Sequence, residues 1–189
     1  MSLLNYLSES GFITIVVLLL LSVYLVATFW IFFYRYAIIK YYIAIEKKSL
    51  DTIYLGKSTT ASNQSLLYKY LHRSVVANRA ILEAAISDTV RNATKGLTML
   101  SIIASTSPFI GLFGTVIGIL ETFAKLGKGS SSLGVIAPAI SEALVATAAG
   151  IFVAIFAYSF HLLMKRKAYE LNSILKSQVE VILSHNGEA

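Results

Sequence analysis

The chain has 189 residues, a formal net charge of +6, no cysteine, and a hydrophobic content of 56%. Together with a mean hydropathy of +0.71, this composition excludes the class of ordinary soluble domains. The absence of cysteine excludes disulfides and thiolate metal sites within this chain. This length leaves room for one membrane domain and little else, so we predict an all-α membrane protein.

The first apolar segment covers residues 12–34 and contains no charged residue. A bilayer core about 30 Å thick requires roughly 20 helical residues to cross it. A cleaved signal peptide would have a basic start and a shorter apolar core, whereas residues 1–11 contain Glu9 and no Lys or Arg. We therefore predict a retained transmembrane helix over residues 12–34, preceded by a short periplasmic lead.

Two further uncharged segments, residues 96–120 and residues 143–164, are each long enough to cross a membrane. The periodicity of small residues indicates that the last helix starts earlier than its uncharged part. We predict transmembrane helix 2 over residues 96–120, a periplasmic loop over residues 121–132, and transmembrane helix 3 over residues 133–164.

Both helices of this hairpin have small residues at intervals of three or four positions. Such stripes let helix backbones approach closely in lipid, where packing rather than water exclusion drives association. An anchor for a soluble domain would not need them, so we predict that the hairpin packs against other helices. The residues assigned to this packing are Gly111, Gly114, Gly118, Ala143, Ala146, Gly150 and Ala154.

The distribution of basic residues predicts the topology. Residues 35–95 contain ten Lys or Arg and four acidic residues, and the tail over residues 165–189 begins with Lys165, Arg166 and Lys167. Because basic loops stay in the cytoplasm, we predict a cytoplasmic loop, a cytoplasmic carboxy terminus and a periplasmic amino terminus. A nucleic-acid patch is the alternative, but topology alone explains the charge, and we expect no nucleic-acid partner.

The two cytoplasmic segments have helical periodicity. The apolar positions of the loop are Leu71, Val75, Leu82, Ile86, Val90 and Leu97. One face of the tail contains Leu171, Leu175, Gln178 and Ile182. Because no proline precedes Pro108 in this region, we predict that the loop helix runs unbroken into transmembrane helix 2. These long helical extensions would continue the membrane bundle; helices lying on the bilayer surface are the alternative.

The run Gly56-Lys57-Ser58-Thr59 is similar to the end of a phosphate-binding loop. However, the required first glycine is replaced by Asp51, and no apolar strand precedes the run. The three histidines are scattered along the sequence and form no cluster with the spacing of metal ligands. We therefore expect no cofactor, no metal and no enzymatic activity.

Glu142 is the strongest candidate for an acid inside the membrane. If its helix begins near Leu133, Glu142 lies about two turns into the helix. An ionisable group at such a depth is costly, so it faces a bundle interior or a wet cavity. If the helix instead begins at Glu142, the carboxylate only stabilises the helix start. Glu121 has Lys125 four residues later and is expected to be a solvated interface residue.

Thr115 and Thr147 are the threonines nearest to Glu142 in the predicted helices. Glu142 and Thr147 are five residues apart, which corresponds to about 140° of rotation around an α-helix. They therefore share no narrow stripe, although both can line one wide pore. The alternative for each threonine is a hydrogen bond to a carbonyl of its own helix.

The runs PFIGLFGTVIGI and APAISEALVATA, which begin at Pro108 and Ala137, resemble the signature of the MotA/TolQ/ExbB family. These proteins are inner-membrane subunits of motors driven by the proton-motive force. The resemblance covers residues 108–157. Three spans with a periplasmic amino terminus are similar to ExbB and TolQ rather than to the four-span MotA, and the short lead and the tail look slightly more like TolQ.

The resemblance implies a pentamer around the transmembrane helices of two copies of a single-span ExbD- or TolR-type partner. An aspartate of the partner takes up and releases the proton, and Thr115, Glu142 and Thr147 correspond to the family's pore-lining residues. A TonB- or TolA-type third subunit would couple the motor to TonB-dependent uptake or to Tol-Pal envelope maintenance. Ala139 stands where the family often has glycine, and Glu121 where ExbB and TolQ usually have a neutral residue.

Two other functional classes stay open. A stand-alone channel or transporter would need its own ionisable relay or internal repeats, and neither is visible in the sequence. A passive membrane scaffold would need the small stripes but would give Glu142 no role. Because a lone boundary carboxylate cannot relay a proton across about 30 Å, we expect a partner that supplies a second ionisable group.

Overall fold

The computed structural model describes residues 12–55, 62–68, 79–127 and 133–185. The helices in these ranges are α1 (Phe12–Tyr54), α2 (Arg79–Ala93), α3 (Leu97–Gly127) and α4 (Leu133–His185). All regular structure in these ranges is helical, which confirms the predicted all-α class. The predicted lead, the run from Gly56 to Thr59, Leu71, Val75 and the end of the predicted 121–132 loop lie outside the described residues.

Three helices, α1, α3 and α4, are long and apolar enough to cross a membrane. The 43 residues of α1 and the 53 residues of α4 correspond to about 65 Å and about 80 Å of helix. Both helices are therefore much longer than a bilayer core. Likewise, α3 continues beyond Leu120 to Gly127. The membrane boundaries themselves stay predictions, because a helix end does not mark a membrane surface.

The prediction of one unbroken helix from the loop into transmembrane helix 2 is wrong. Helix α2 ends at Ala93, a turn follows, and α3 begins at Leu97. Gly96 has a φ of 100°, a conformation that glycine adopts at no steric cost. The amide of Leu97 donates to the carbonyl of Thr94 at 3.1 Å and closes the turn. A glycine just after a basic helix end is a common helix stop, so the absence of proline was not sufficient evidence for continuity.

One of two compact units contains residues 12–31, 98–127 and 133–161 in its described part. Its core contains side chains from all three of the long apolar helices. The members of this core are Val17, Leu21, Ile103, Ala146, Val153 and Ala157. The ring of Phe29 on α1 lies 5.5 Å from that of Phe156 and 5.2 Å from that of Phe160 on α4. The unit is therefore a three-helix bundle of the segments predicted to span the membrane.

The second unit contains residues 32–97 and 162–189, of which 56–61, 69–78 and 186–189 lie outside the described ranges. The predicted inward face of the tail is confirmed, because its four residues are all buried. Leu82 and Ile86 of α2 are buried as well. These helices thus bury an apolar face within the protein, as predicted for extensions that pack together.

A buried carboxylate, that of Glu46, joins three segments of the second unit. Glu46 is 0% exposed and accepts hydrogen bonds from Ser65 Oγ at 2.8 Å and from the Leu66 amide at 2.6 Å. Gln178 Nε2 donates to the Glu46 carboxylate at 2.9 Å and to its backbone carbonyl at 2.7 Å. Because buried polar groups are costly without partners, this network holds α1, the turn over residues 62–68 and α4 together.

Candidate functional site

The backbones of α3 and α4 are in direct contact where Gly111 meets Gly150. A Cβ atom on Gly150 would lie 2.5 Å from the Ser107 carbonyl oxygen and 3.0 Å from Gly111 Cα. A Cβ atom on Gly111 would lie 2.6 Å from the Ala146 carbonyl oxygen. Since real Cβ atoms do not approach backbone so closely, only glycine fits at both positions, as in other small-residue helix contacts in membranes.

Further along the same contact, alanines replace glycine as the facing residues. A Cβ atom on Gly114 would lie 3.1 Å from Ala146 Cβ and 3.0 Å from Val17 Cγ1, and one on Gly118 would lie 3.0 Å from Ala143 Cβ. The small residues of the two helices therefore face each other inside one protomer. Their contribution to assembly of the oligomer stays a prediction.

Ala154 lies beyond this close contact, on the wall of a groove between α3 and α4. The groove has a volume of about 470 Å³. Its lining residues are Ser101, Ala104, Ser105, Ile151, Ala154, Ile155 and Tyr158. Ala154 is thus placed differently from the other six residues assigned to helix packing.

Thr115 and Thr147 are brought together across the α3–α4 contact, and their hydroxyls are hydrogen-bonded. Thr115 is 7% exposed, and its Oγ1 lies 3.0 Å from the Ala143 carbonyl oxygen and 3.3 Å from the Gly111 carbonyl oxygen. A threonine hydroxyl has one proton. Donation from Thr115 to Ala143 on the facing helix therefore requires that Thr147 donates to Thr115, which gives a chain of two hydroxyls that ends on a carbonyl.

Glu142 lies next to this chain in the sequence. Helix α4 begins at Leu133, so the alternative in which Glu142 starts the helix is excluded. The side chain of Glu142 is half-buried, and the carbonyl that accepts from Thr115 belongs to the following residue, Ala143. Glu121 is also half-buried and lies within α3, and its role as a solvated interface residue stays a prediction.

The spacing between glycine and threonine in the two helices is a sequence signal for the threonine pair. Thr115 lies one turn after Gly111, and Thr147 lies one turn before Gly150. In an antiparallel hairpin where the two glycines meet, the two threonines must face each other. The angle between Glu142 and Thr147 concerns α4 alone, so it does not reveal the contact of Thr147 with α3.

Within the described ranges, no three His, Cys, Asp or Glu side chains lie close enough to hold a metal ion. The chemistry of the site is therefore that of two hydroxyls, one carboxylate and backbone carbonyls. Hydroxyls both donate and accept hydrogen bonds. The two threonines can therefore form a hydrogen bond with a carboxyl group in either of its protonation states.

Comparison of the sequence with known proteins gives several relatives. The chain is 44% identical over 184 residues to the putative biopolymer transport protein ExbB-like 1 of Helicobacter pylori strain J99, with 97% of each chain covered. It is 40% identical over 94 residues to the biopolymer transport protein ExbB of Xanthomonas campestris pv. campestris strain B100, covering 48% of this chain and 37% of the relative. It is 48% identical over 80 residues to ExbB of Neisseria gonorrhoeae, covering 40% and 36%.

A model of the MotA/TolQ/ExbB proton channel family matches residues 59–177, a range that includes Thr115, Glu142 and Thr147. This match covers more than half of the chain, and the Helicobacter relative matches almost all of it. The resemblance predicted from the two hairpin motifs is confirmed, and the chain belongs to the MotA/TolQ/ExbB proton channel family.

Proposed function

We propose that this chain is the three-span subunit of an ExbB-type motor in the bacterial inner membrane, driven by the proton-motive force. Membership of the family and the ExbB names of the relatives support a role in energising transport. These names favour ExbB over TolQ, so the earlier preference for TolQ is not retained. The proposed process is therefore TonB-dependent uptake, with Tol-Pal envelope maintenance as the second candidate.

In this proposal, five copies surround the membrane helices of two copies of an ExbD-type single-span partner. The need for a partner follows from the composition of the spans. Glu142 is the strongest candidate for an ionisable group inside the predicted spans, and one carboxylate cannot carry a proton across about 30 Å of hydrocarbon. A second ionisable group must come from another chain.

The observation that carries the proposal is the hydrogen-bonded pair of Thr115, which is buried, and Thr147, which is half-buried. Thr115 also lies 3.0 Å from the carbonyl of Ala143, the residue that follows Glu142. An ionised carboxylate of the partner only accepts hydrogen bonds, whereas the protonated form also donates one. The half-buried hydroxyl of Thr147 can rotate to donate to the first form and can accept from the second. It therefore offers a polar contact to the partner both before and after proton release.

In this proposal, Glu142 supplies a negative charge one position before Ala143, whose carbonyl accepts from Thr115. An anionic side chain in a place of low dielectric constant interacts strongly with other charges. A negative charge on Glu142 therefore favours the protonated, neutral form of the partner's carboxyl group. Proton uptake and release at the partner would in this way be coupled to the position of the partner relative to Glu142.

Proton flux in liposomes tests this function. The full chain is reconstituted with and without a co-expressed single-span partner, a potassium gradient sets the membrane potential, and a pH-sensitive dye inside the vesicles reports proton entry. We expect flux only when the partner is present. Flux from the chain alone would favour a stand-alone channel, and no flux under either condition would favour a passive scaffold.

A further inference from the structure

A groove of about 780 Å³ in the second unit lies between α1 and α4, where the first and third predicted spans end. Its lining residues are Phe32, Tyr36, Leu163, Arg166, Lys167 and Glu170. The two residues from α1 are one turn apart, and the four from α4 lie at positions i, i+3, i+4 and i+7. Each helix therefore presents one continuous face to the groove.

The groove changes from apolar to polar along its length. Phe32 and Leu163 belong to the predicted membrane spans, whereas Tyr36 and the charged residues follow the predicted ends of those spans. The rings of Phe32 and Tyr36 lie 5.3 Å apart, and a tyrosine at this level is typical of a membrane–water interface. A molecule that fills this groove must have an apolar part beside hydrocarbon and a polar part at the level of the lipid headgroups.

The polar end of the groove has an excess of positive charge. Lys167 Nζ lies 2.7 Å from Glu170 Oε2, so these two charges compensate each other. Arg166 is exposed and makes no hydrogen bond or ion pair with any other residue in the ranges that the structure describes. Its planar guanidinium has five N–H donors and matches the geometry of a phosphate group.

We propose that this groove binds one anionic phospholipid of the cytoplasmic leaflet. The phosphodiester contacts the guanidinium of Arg166 and the hydroxyl of Tyr36, and an acyl chain lies against Phe32 and Leu163. A basic pocket between membrane helices on the cytoplasmic side is a recurrent binding place for anionic headgroups. A zwitterionic lipid is expected to bind less well, because its own cation competes with the arginine for the phosphate.

The test uses the full-length oligomer, reconstituted into bilayers of equal amounts of phosphatidylglycerol and phosphatidylcholine and then extracted into mild detergent. Native mass spectrometry counts the lipids of each kind that stay bound. We expect enrichment of phosphatidylglycerol on the wild type and about a fivefold loss of it for Arg166→Gln, the effect of one basic residue near an anionic membrane surface. Arg91→Gln, which removes the same charge from an exposed position on α2, is the matched control and should keep the enrichment.

A second variant gives an effect that misfolding cannot produce. Glu170→Gln removes the negative charge from the groove and frees Lys167, so retention of phosphatidylglycerol should rise above that of the wild type. Equal retention by the wild type and Arg166→Gln would overturn the proposal. Displacement of the bound lipid by millimolar inorganic phosphate would also overturn it, because the groove would then recognise a free anion. A third result would overturn the proposal: Arg166→Gln loses oligomeric mass while the amount of bound phosphatidylglycerol stays unchanged. A second copy of the chain would then fill the groove.

Discussion

Replacement of Gly150 by alanine adds a single methyl group at the tightest point between α3 and α4. That methyl carbon would lie 2.5 Å from the Ser107 carbonyl oxygen and 3.0 Å from Gly111 Cα. Both contacts are with backbone, which cannot move aside by a change of rotamer, so the helices must separate. Overpacking of this kind costs about 1–3 kcal/mol, whereas the higher helix propensity of alanine returns roughly 0.5–1 kcal/mol. We therefore expect a net loss of about 1–2 kcal/mol in the free energy of unfolding.

Two other glycines provide the comparison. Among the residues that the structure describes, a Cβ atom on Gly127 has no neighbour within 4 Å, so Gly127→Ala should leave the stability unchanged or slightly higher. Gly114→Ala should be intermediate, since its nearest contact, at 3.0 Å, is the side-chain methyl of Val17. Reversible unfolding of the purified protein in mixed micelles, titrated with a denaturing detergent, measures all three. The packing argument is refuted if Gly150→Ala is as stable as Gly127→Ala.

Three further predictions concern the parts outside this contact. Gln178→Leu removes two hydrogen bonds to the buried Glu46. In the same assay the free energy of unfolding should fall by about 2–3 kcal/mol, because a buried carboxylate loses a donor. A fall below about 0.5 kcal/mol would contradict this role of Gln178. Gly96→Ala forces an L-residue to a φ of 100° and should cost about 1 kcal/mol, whereas a neutral result would mean that α2 and α3 can form one continuous helix. A reporter fused after Ala189 should be active only in the cytoplasm, and periplasmic activity would contradict the three-span topology.

The sequence was informative wherever a pattern is local to one helix. Uncharged runs long enough to cross a bilayer core predicted three spanning helices, and α1, α3 and α4 contain these runs except for Gly96. The periodicity of the tail predicted its buried face from Leu171 to Ile182. Both signals depend only on the rise and the turn of an α-helix, so no knowledge of the tertiary structure was needed.

The features that were missed depend on contacts between distant segments. Glu46 and Gln178 are 132 positions apart, and nothing in the sequence around Glu46 distinguishes it from a solvated loop acid. The threonine pair depends on the register of α3 against α4, which the glycine contact sets. The break at Gly96 is different, because its signal is local: a glycine just after a basic helix end indicates a helix stop even where no proline is present.

If Glu142 takes part in proton-driven work through its charge, the motor must fail when that charge alone is removed. Glu142→Gln keeps the shape and the hydrogen-bonding capacity of the side chain and removes its ability to carry charge. In cells that depend on the motor, at matched protein levels, we expect an intact oligomer that binds its partner but supports no proton-dependent function. Thr147→Val should be impaired, and Glu121→Gln should be close to the wild type. Wild-type function of Glu142→Gln would contradict the account and would place the proton path elsewhere.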